Sequence, residues 1–266
     1  MNKSFSYSLL ISTYNWPEAL SLVLKSVLLQ SRLPQEILIA DDGSAQETKD
    51  VITAFANQTS VPVKHLWQED KGFRKARILN KAIAETTSDY IIQIDGDCIL
   101  HPEFIADHLK SAEIGTYLYG SRVNILPEAV AEIFNNGITS FNIFSKEIKN
   151  KTRTLHIPFL SKLYKPHIGI SKKYRGCNVS FWRADFVAVN GYNEDYEGWG
   201  REDSDLVIRM GNNGTKAKRL RYAGILFHIH HKVNSKRSFE LNDRMQQEVI
   251  LKKTIRIDNG IDKYLN

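Results

Sequence analysis

Two aspartates separated by one glycine follow a short apolar segment. Residues 90–94 have the length and β-branched content of a strand buried on both faces. Asp95, Gly96 and Asp97 come directly after it. In an open parallel sheet, ligands bind beyond the carboxyl ends of the strands, where two carboxylates can hold a hard cation and the phosphates it carries. Most isolated pairs of this kind are ordinary turns, so the rest of the chain must decide between the two interpretations.

A second acidic pair has the same relation to a predicted strand. Asp41 and Asp42 follow residues 36–40, another short apolar segment. The loop after the first predicted strand, which contains Thr13, has no glycine, and no glycine precedes Gly43. A dinucleotide-binding dehydrogenase would carry a glycine-rich loop there, so the sequence argues against that class of enzyme.

A basic helix is predicted after Gly72. Arg74, Arg77 and Lys81 are spaced by three and four residues and therefore share a helix face. The backbone N–H groups at the start of a helix attract anions, so a pyrophosphate would fit. A solvated basic face is the commoner meaning of such a pattern and remains the alternative.

Three acids open a helix in the second half of the chain. Glu202, Asp203 and Asp205 follow a loop that contains Trp199 and Gly200. Carboxylates in a first helical turn cap free N–H groups and complement the helix dipole, which is the structural alternative. A general base needs a carboxylate at the edge of a pocket, and a neighbouring tryptophan offers a flat apolar face for a sugar ring.

Three histidines in four positions end the next predicted strand. His228, His230 and His231 are candidate ligands for a divalent transition metal, because neutral imidazole favours Mn²⁺ over Mg²⁺ when it joins carboxylates. Packed or surface histidines are the alternative, and the pattern leaves open which of the three would bind the ion.

Strands and helices alternate along most of the chain, which predicts an α/β fold with a doubly wound, mostly parallel sheet flanked by helices. Asn15 is a candidate cap for the first helix, which Pro17 begins. Residues 127–173 have no clear periodicity, so irregular structure with one or two helices is expected there. The predicted strands are residues 5–12, 36–40, 61–67, 90–95, 117–123 and 178–182.

Composition limits the class of protein. The chain has 266 residues, with 36 Lys and Arg against 30 Asp and Glu, a net charge of +6 that favours anionic partners. The basic residues are dispersed among acids, which argues against a nucleic-acid-binding arm. Two cysteines are too few for a disulfide framework, so a reducing cytosol is expected. No apolar run is long enough for a signal peptide or membrane span, so a soluble protein, at most peripheral to a membrane, is expected.

Five motifs in this order resemble the family 2 glycosyltransferases of the GT-A fold. The second half resembles the module found in β1,4-galactosyltransferases and bacterial chondroitin-type polymerases. The resemblance covers residues 7–232 and predicts one domain over residues 1–231, with a nucleotide-binding half (1–115) and an acceptor-binding half (116–231). The motifs are STYN (12–15), DDGS (41–44), GFRKARILNKA (72–82), DGD (95–97) and NGYNEDYEGWGREDSDL (190–206).

The resemblance implies roles for individual residues. Thr13, Asp41 and Asp42 would contact uridine; Arg74 and Arg77 would face the pyrophosphate. Asp95 and Gly96 would lie near the ribose, and Asp97 with His228 would bind the metal. Asp203 matches the family's catalytic base, with Glu202 beside it. Asn178, Trp199 and Gly200 are expected to bind the acceptor.

The implied function is an inverting, metal-dependent transfer of a hexose from a UDP-sugar to a hydroxyl of a growing glycan. Mn²⁺ is the expected cation, with Mg²⁺ as an alternative, and galactose or N-acetylgalactosamine is the favoured sugar. The acceptor would be a glycan or a lipid-linked glycan, and no nucleic-acid partner is expected. Residues 232–266 are predicted to form a helical tail that closes the domain or touches an anionic leaflet. A nucleotidyltransferase, a nucleotide-sugar hydrolase and a non-catalytic subunit of a polysaccharide assembly complex are the other classes.

Overall fold

A computed structural model describes residues 5–171, 173–231 and 238–265. Its strands form a large sheet and a small one. The large sheet has the order β10-β6-β9-β4-β1-β2-β3, and the small one has the order β5-β11-β7-β8. The strands are β1 (Tyr7–Thr13), β2 (Glu36–Asp41), β3 (Val63–Trp67), β4 (Tyr90–Asp95), β5 (Cys98–Leu100), β6 (Thr116–Tyr119), β7 (Arg122–Ile125), β8 (Ile148–Lys149), β9 (Asn178–Trp182), β10 (Lys216–Arg219) and β11 (Leu226–His228).

The helices connect these strands. They are α1 (Pro17–Leu28), α2 (Gln46–Ala56), α3 (Lys75–Ala84), α4 (Phe104–Ser111), α5 (Val130–Asn136), α6 (Pro158–Ser161), α7 (Arg183–Ala188), α8 (Glu202–Asn212) and α9 (Phe239–Lys252). Pro17 begins α1 as the sequence predicts, since proline lacks the N–H that a first turn would leave unpaired.

The large sheet is parallel except for β9, which runs antiparallel to both β4 and β6. Alternate residues of its central strands enter cores on opposite faces: Leu9 and Ile11 pack on one side, and Leu10 on the other. Side chains of successive strand residues point to opposite faces, so strands covered by helices on both sides must be apolar at nearly every position. This explains why the central strands read as continuous apolar segments.

Strand register aligns the polar residues that end β1, β2 and β4. Thr13 pairs with Asp41, and Ser12 pairs with Asp95. The parallel arrangement therefore brings three predicted site positions, which are far apart in sequence, to one edge of the sheet.

Two sequence predictions about local structure are wrong. Residues 117–123 form not one strand but the end of β6 and the start of β7, which lie in different sheets. The break falls at Gly120, where an added Cβ would lie 2.3 Å from the amide nitrogen of Asn178. Asn15 does not cap α1; its side chain accepts a hydrogen bond from the N–H of Ala45, just before α2.

The C-terminal segment is part of the same core. Ile261 is completely buried in the cluster that includes α3 and β9 residues. Asn190 holds the segment in place, because its carbonyl accepts the N–H of Ile261 and its side-chain oxygen accepts that of Asp262. No helix among the described residues is both long enough and apolar enough to cross a membrane.

Candidate functional site

Asp95 lies at the centre of the polar edge of the sheet. Its Oδ1 accepts a hydrogen bond from Ser12 Oγ at 2.7 Å and one from Lys75 Nζ at 2.8 Å. Burial alone would raise the pKa of Asp95, but the Lys75 ammonium and the two hydrogen bonds hold it below its usual value. Asp95 is therefore ionised and fixed in one orientation.

Lys75 is a site residue that motif reasoning did not single out. Burial disfavours its charge, but Asp95, Asp203 and Glu202 raise the pKa of its ammonium well above the ordinary value. It lies one helical turn before Ile78 and Leu79, both completely buried. That spacing places Lys75 on the inward face of α3, and the periodicity of the helix was the signal that could have identified it.

Neither of the two arginines expected at the pyrophosphate contacts Asp95, and their contact with a pyrophosphate stays a prediction. The Arg74 guanidinium hydrogen-bonds back to the carbonyl of Glu69. Arg77 is exposed, two positions after Lys75, which is about 200° around a helix. The structure therefore brings Lys75, and neither arginine, to Asp95.

Asp41 and Asp42 are buried and shape the loops around them. Asp41 accepts the N–H of Ser44 at 2.8 Å and contacts His65 Nε2 at 2.9 Å. Asp42 accepts from Gln68 Nε2 at 2.6 Å and from the backbone N–H of Arg74 at 2.8 Å. These contacts tie the DDGS turn to the start of α3, which fixes one wall of the cleft.

Thr13 and Gly96 meet at the end of β1. A Cβ added to Gly96 would lie 3.0 Å from the carbonyl oxygen of Ser12 and 3.1 Å from Thr13 Oγ1. The middle position of the DGD motif therefore has little room for a side chain, because the turn after β4 packs closely on β1. Contact of Thr13, Asp41 and Asp42 with uridine stays a prediction.

The small sheet brings together a possible metal site. Strand β11 pairs antiparallel with β5 so that His228 lies opposite Cys98, next to Asp97. Asp97 Oδ2 lies 3.4 Å from His228 Nε2 and 3.3 Å from His231 Nε2. Burial lowers the pKa of His228 below its ordinary value, which keeps the imidazole neutral and able to coordinate.

These residues fit a divalent transition metal. Ligand atoms of Asp97, His228 and His231 all lie within 4.8 Å of one another, and one carboxylate with two imidazoles suits Mn²⁺. His230 is exposed and lies outside this group. Of the three histidines left open by the sequence, the geometry therefore selects His228 and His231.

Glu202 and Asp203 face the same cleft from the start of α8. Burial and the neighbouring Asp203 charge raise the pKa of Glu202 to about 7. Burial also raises the pKa of Asp203; Lys75 opposes this effect and Asp95 adds to it. Tyr192 contacts both Asp203 and the strand that ends at Asp95, so residues more than a hundred positions apart converge on one cleft.

Two features hold the Asp203 carboxylate in place. Tyr192 Oη donates a hydrogen bond to Gln93 Oε1 of β4 at 3.0 Å and lies 3.5 Å from Asp203 Oδ1, which places the Asp203 carboxylate beside β4. An added Cβ at Gly176 would lie 1.9 Å from Asp203 Oδ2. Glycine at position 176 therefore leaves the space that the carboxylate occupies.

Asp205 has a structural role. Its Oδ2 accepts a hydrogen bond from Arg209 Nε at 2.8 Å, and both side chains are fully buried. The Arg209 guanidinium also donates to the carbonyls of Val189 and Gly191. This buried pair ties the glycine-containing loop to α8, so the structural alternative is correct for the third acid of the helix.

A pocket of about 510 Å³ opens beside the two acids. Trp199 and Gly200 line it together with Glu202 and Asp203, and the binding of an acceptor by Trp199 and Gly200 stays a prediction. Helix α9 forms another wall, on which Phe239 stacks against Trp199 with ring centroids 6.1 Å apart.

Asn178 was expected to bind the acceptor, and its environment contradicts that assignment. It is completely buried, and its amide nitrogen donates to the carbonyl of Gly224 at 2.8 Å. Its side-chain oxygen lies 3.2 Å from His108 Nε2. Asn178 therefore joins β9 to the loop before β11, and an acceptor has no access to it.

Comparison with protein families identifies the class. Residues 8–165 match the model described as glycosyl transferase family 2, and residues 159–232 match the model described as the N-terminal domain of galactosyltransferase. The first match covers more than half of the chain, which therefore belongs to glycosyl transferase family 2. The resemblance seen in the sequence motifs, including the galactosyltransferase-like second half, is confirmed.

Curated relatives are longer proteins. Validoxylamine A glucosyltransferase of Streptomyces hygroscopicus subsp. limoneus is 27% identical over 229 residues, which are 78% of this chain and 48% of the relative. Chondroitin synthase of Escherichia coli is 21% identical over 235 residues, 78% of this chain and 32% of the relative. The chain thus spans about half or less of the length of these two relatives.

Solved structures share the fold. A mannosyltransferase from Pyrobaculum calidifontis, in complex with GDP-Man and Mn²⁺, is 17% identical with a TM-score of 0.61, over 97% of this chain and 66% of that one. TarS 1–349 of S. aureus in complex with UDP is 16% identical with a TM-score of 0.62, over 92% and 65%. The predicted GT-A fold, with its mostly parallel central sheet, is confirmed.

Proposed function

We propose that this protein transfers a hexosyl unit from a UDP-sugar to a hydroxyl group of a glycan, with inversion at the anomeric carbon and with a divalent cation. One observation carries the proposal: a carboxylate of raised pKa, Asp203, lies in the same cleft as Asp95 and Lys75 and opens onto a pocket large enough for a sugar.

Asp203 is the proposed base. A carboxylate that removes a proton from an attacking hydroxyl works best when its pKa is raised toward the working pH and its position is fixed. Burial supplies the first condition, and the contacts with Tyr192 and Gly176 supply the second. Trp199 offers the acceptor ring an apolar surface on the same pocket wall.

The donor is proposed to bind along the carboxyl ends of the strands, with its diphosphate near Lys75 and the cluster of Asp97, His228 and His231. A divalent cation held there would stabilise the negative charge that develops on the departing diphosphate. Lys75, fixed by Asp95, would add a fixed positive charge close to the same group.

The donor identity rests on similarity. The second half of the chain matches a galactosyltransferase domain, and one structural neighbour was solved with UDP. These favour a UDP-sugar with galactose or N-acetylgalactosamine, and a growing surface glycan, free or lipid-linked, as acceptor. Mn²⁺ is the proposed cation, since two imidazoles accompany the carboxylate.

Replacing Asp203 with asparagine tests this proposal. Asparagine keeps the shape but accepts no proton, so turnover should fall about 10²- to 10⁴-fold while the Kd for UDP with Mn²⁺ stays within about twofold. Turnover is measured as UDP release with a panel of acceptor sugars, and UDP binding by calorimetry. The control is Glu197→Gln, an exposed acid of the same loop, which should leave both unchanged.

Weakened UDP binding in D203N with unchanged turnover per bound donor would assign Asp203 a structural role and remove the proposed mechanism. Mass spectrometry of the products separates transfer from hydrolysis, because a hydrolase releases free sugar. A wild-type protein that binds UDP and releases none from any UDP-sugar would be the non-catalytic subunit.

A further inference from the structure

Five arginines from separate parts of the chain form one group beside the cleft, here named the arginine cluster. Its members come from β7, from the segment between β8 and α6, from the residue before Gly176, and from the end of β10 and the loop after it. They are Arg122, Arg153, Arg175, Arg219 and Arg221.

Hydrogen bonds to backbone and hydroxyl oxygens hold three of these side chains near one another. Arg153 Nη1 donates to the carbonyl of Arg122 at 2.8 Å. Arg221 Nη2 donates to the carbonyl of Thr152 at 3.4 Å, and Arg219 Nη2 donates to Ser121 Oγ at 3.2 Å. These bonds connect three segments: the start of β7, the segment that contains Arg153, and the end of β10 with the loop after it.

Four members of the arginine cluster have no acidic partner in the described part of the chain. They are Arg122, Arg153, Arg219 and Arg221. Nε of Arg219 is buried and has no hydrogen-bond partner among the residues that the structure describes. Burial and the charges of the other four arginines lower the pKa of Arg153. Like charges brought together without counterions destabilise a fold, which indicates that a ligand supplies the missing negative charge.

The arginine cluster extends from the metal site to the acceptor pocket. Arg122 lies in β7 opposite Leu226 of β11, two residues before His228. Arg175, at the other end, lines the 510 Å³ pocket next to Gly176 and Asp203. An anion bound between them would lie beside the hydroxyl that Asp203 is proposed to deprotonate.

The donor alone does not account for so much positive charge. A UDP-sugar carries two negative charges on its diphosphate, and the divalent cation and Lys75 already face them. Asp95, Asp97 and the proposed base Asp203 take up that positive charge, so about two arginines would complete the balance. Several guanidinium groups remain, and guanidinium is the side chain best suited to paired hydrogen bonds with carboxylate or phosphate.

We propose that the arginine cluster binds a carboxylate or phosphate group on the acceptor, so that the enzyme acts on an anionic glycan. This inference rests on the proposed transfer reaction and narrows its acceptor class. Arg175 would contact the acceptor close to the reacting hydroxyl, and Arg153 and Arg221 would contact it further out. The selectivity would come from guanidinium groups that remain unpaired when a neutral sugar binds.

Acceptor binding is measured by calorimetry on protein saturated with UDP and Mn²⁺, so that the donor site is filled. Two matched pairs separate the possible sources of charge: a disaccharide ending in glucuronic acid with its methyl ester, and a monosaccharide phosphate with its parent sugar. The anionic member of at least one pair should bind about tenfold more tightly. Raising the salt concentration from 50 to 300 mM should reduce that preference.

Arg153→Gln and Arg221→Gln should each remove most of the preference for the anionic acceptor. The Kd for neutral sugars and the Kd for UDP should stay unchanged. Arg153→Lys, which keeps the charge, should restore much of the preference. The control is Arg32→Gln, the same change of charge in the loop before β2, at the opposite edge of the sheet.

Equal binding of charged and neutral acceptors, or binding of neither, would overturn the proposal. Binding of the anionic sugar only when UDP is left out, or an equal loss of UDP affinity in Arg153→Gln, would assign the arginine cluster to the donor diphosphate. These readouts need no turnover. Failure of the proposed transfer reaction is a separate result: normal acceptor binding without any transferred sugar.

Discussion

Burial sets the charge of the residues in the cleft. Asp95 and Asp203 are both partly buried, but Lys75 donates a hydrogen bond to Asp95 and influences Asp203 only through space. One carboxylate is therefore held ionised, while the other has its pKa raised. The two aspartates therefore differ in their pKa because Lys75 donates a hydrogen bond to Asp95 and not to Asp203.

Glu202 should make stability depend on pH. Its pKa of about 7 in the folded protein lies above the ordinary value of 4.5, so folding takes up a proton between these two pH values. Its contribution to stability is full below pH 4.5 and is lost as the pH rises through 7, a change of roughly 1–3 kcal/mol. Urea unfolding at several pH values measures it.

Glu202→Gln should flatten that part of the profile, since glutamine does not titrate. Parallel pH profiles for the wild type and the variant would show that other groups cause the dependence.

Gly176 should control the position of the base. In Gly176→Ala, the new Cβ must push the Asp203 carboxylate aside, so UDP release should slow by about 10²-fold with little change in the unfolding midpoint. Gly211→Ala, a change in α8 where a Cβ meets nothing within 4 Å, should keep full activity and gain up to about 1 kcal/mol. An unimpaired Gly176→Ala enzyme would refute the positioning role.

At the scale of secondary-structure elements, the small sheet organises the possible metal site. Pairing of β11 with β5 fixes His228 opposite Cys98, and the N–H of Ile229 donates to the carbonyl of Asp97 at 2.9 Å. These backbone bonds align Asp97 and the histidines without help from the side chains. The cluster is therefore a consequence of strand register.

Removing His231 should weaken metal binding. His231→Ala loses one of three ligands, so the Kd for Mn²⁺ should rise about tenfold or more, as measured by calorimetry. His230→Ala is the matched control at the adjacent position, because His230 is exposed and lies outside the group. The affinity of this variant for Mn²⁺ should equal that of the wild type. Equal weakening by both variants would contradict the geometric choice of ligands.

At the scale of the whole molecule, the C-terminal segment completes both the core and the pocket. Helix α9 packs against α8, where Asn242 Nδ2 donates to the carbonyl of Gly200 at 2.9 Å. Beyond α9, Ile261 enters the same core as α3. The stability of this segment is therefore coupled to the shape of the 510 Å³ pocket.

Ile261→Ala should lower the free energy of unfolding by about 2–4 kcal/mol, because the side chain is completely buried and leaves a cavity. Ile255→Ala, at a position that is 40% exposed, should cost less than about 1 kcal/mol. Urea denaturation of both variants measures the difference. Similar small effects would show that the segment is not part of the cooperative core.

Much of the fold and part of the site were predictable from sequence. Continuous apolar strands alternating with helices indicate a two-sided sheet, and Asp95, Asp97, Glu202 and Asp203 stand out because acids follow buried segments or sit beside a tryptophan. The sequence does not reveal the role of Asn178, because a polar residue near a motif gives no sign of whether its amide is already paired. It does not single out Lys75 either, because the nearby Arg74, Arg77 and Lys81 carry the same charge and only their positions around the helix distinguish them.

The sequence by itself determined the strand segments, the family and the residue types available for chemistry, since these depend on local patterns of polarity. Tertiary structure decided which lysine reaches Asp95, which histidines join Asp97, and that five separated arginines form one group. These contacts depend on strand register and on packing between distant segments. No local pattern encodes them, because each is fixed by the sum of many burial and hydrogen-bonding interactions across the whole core.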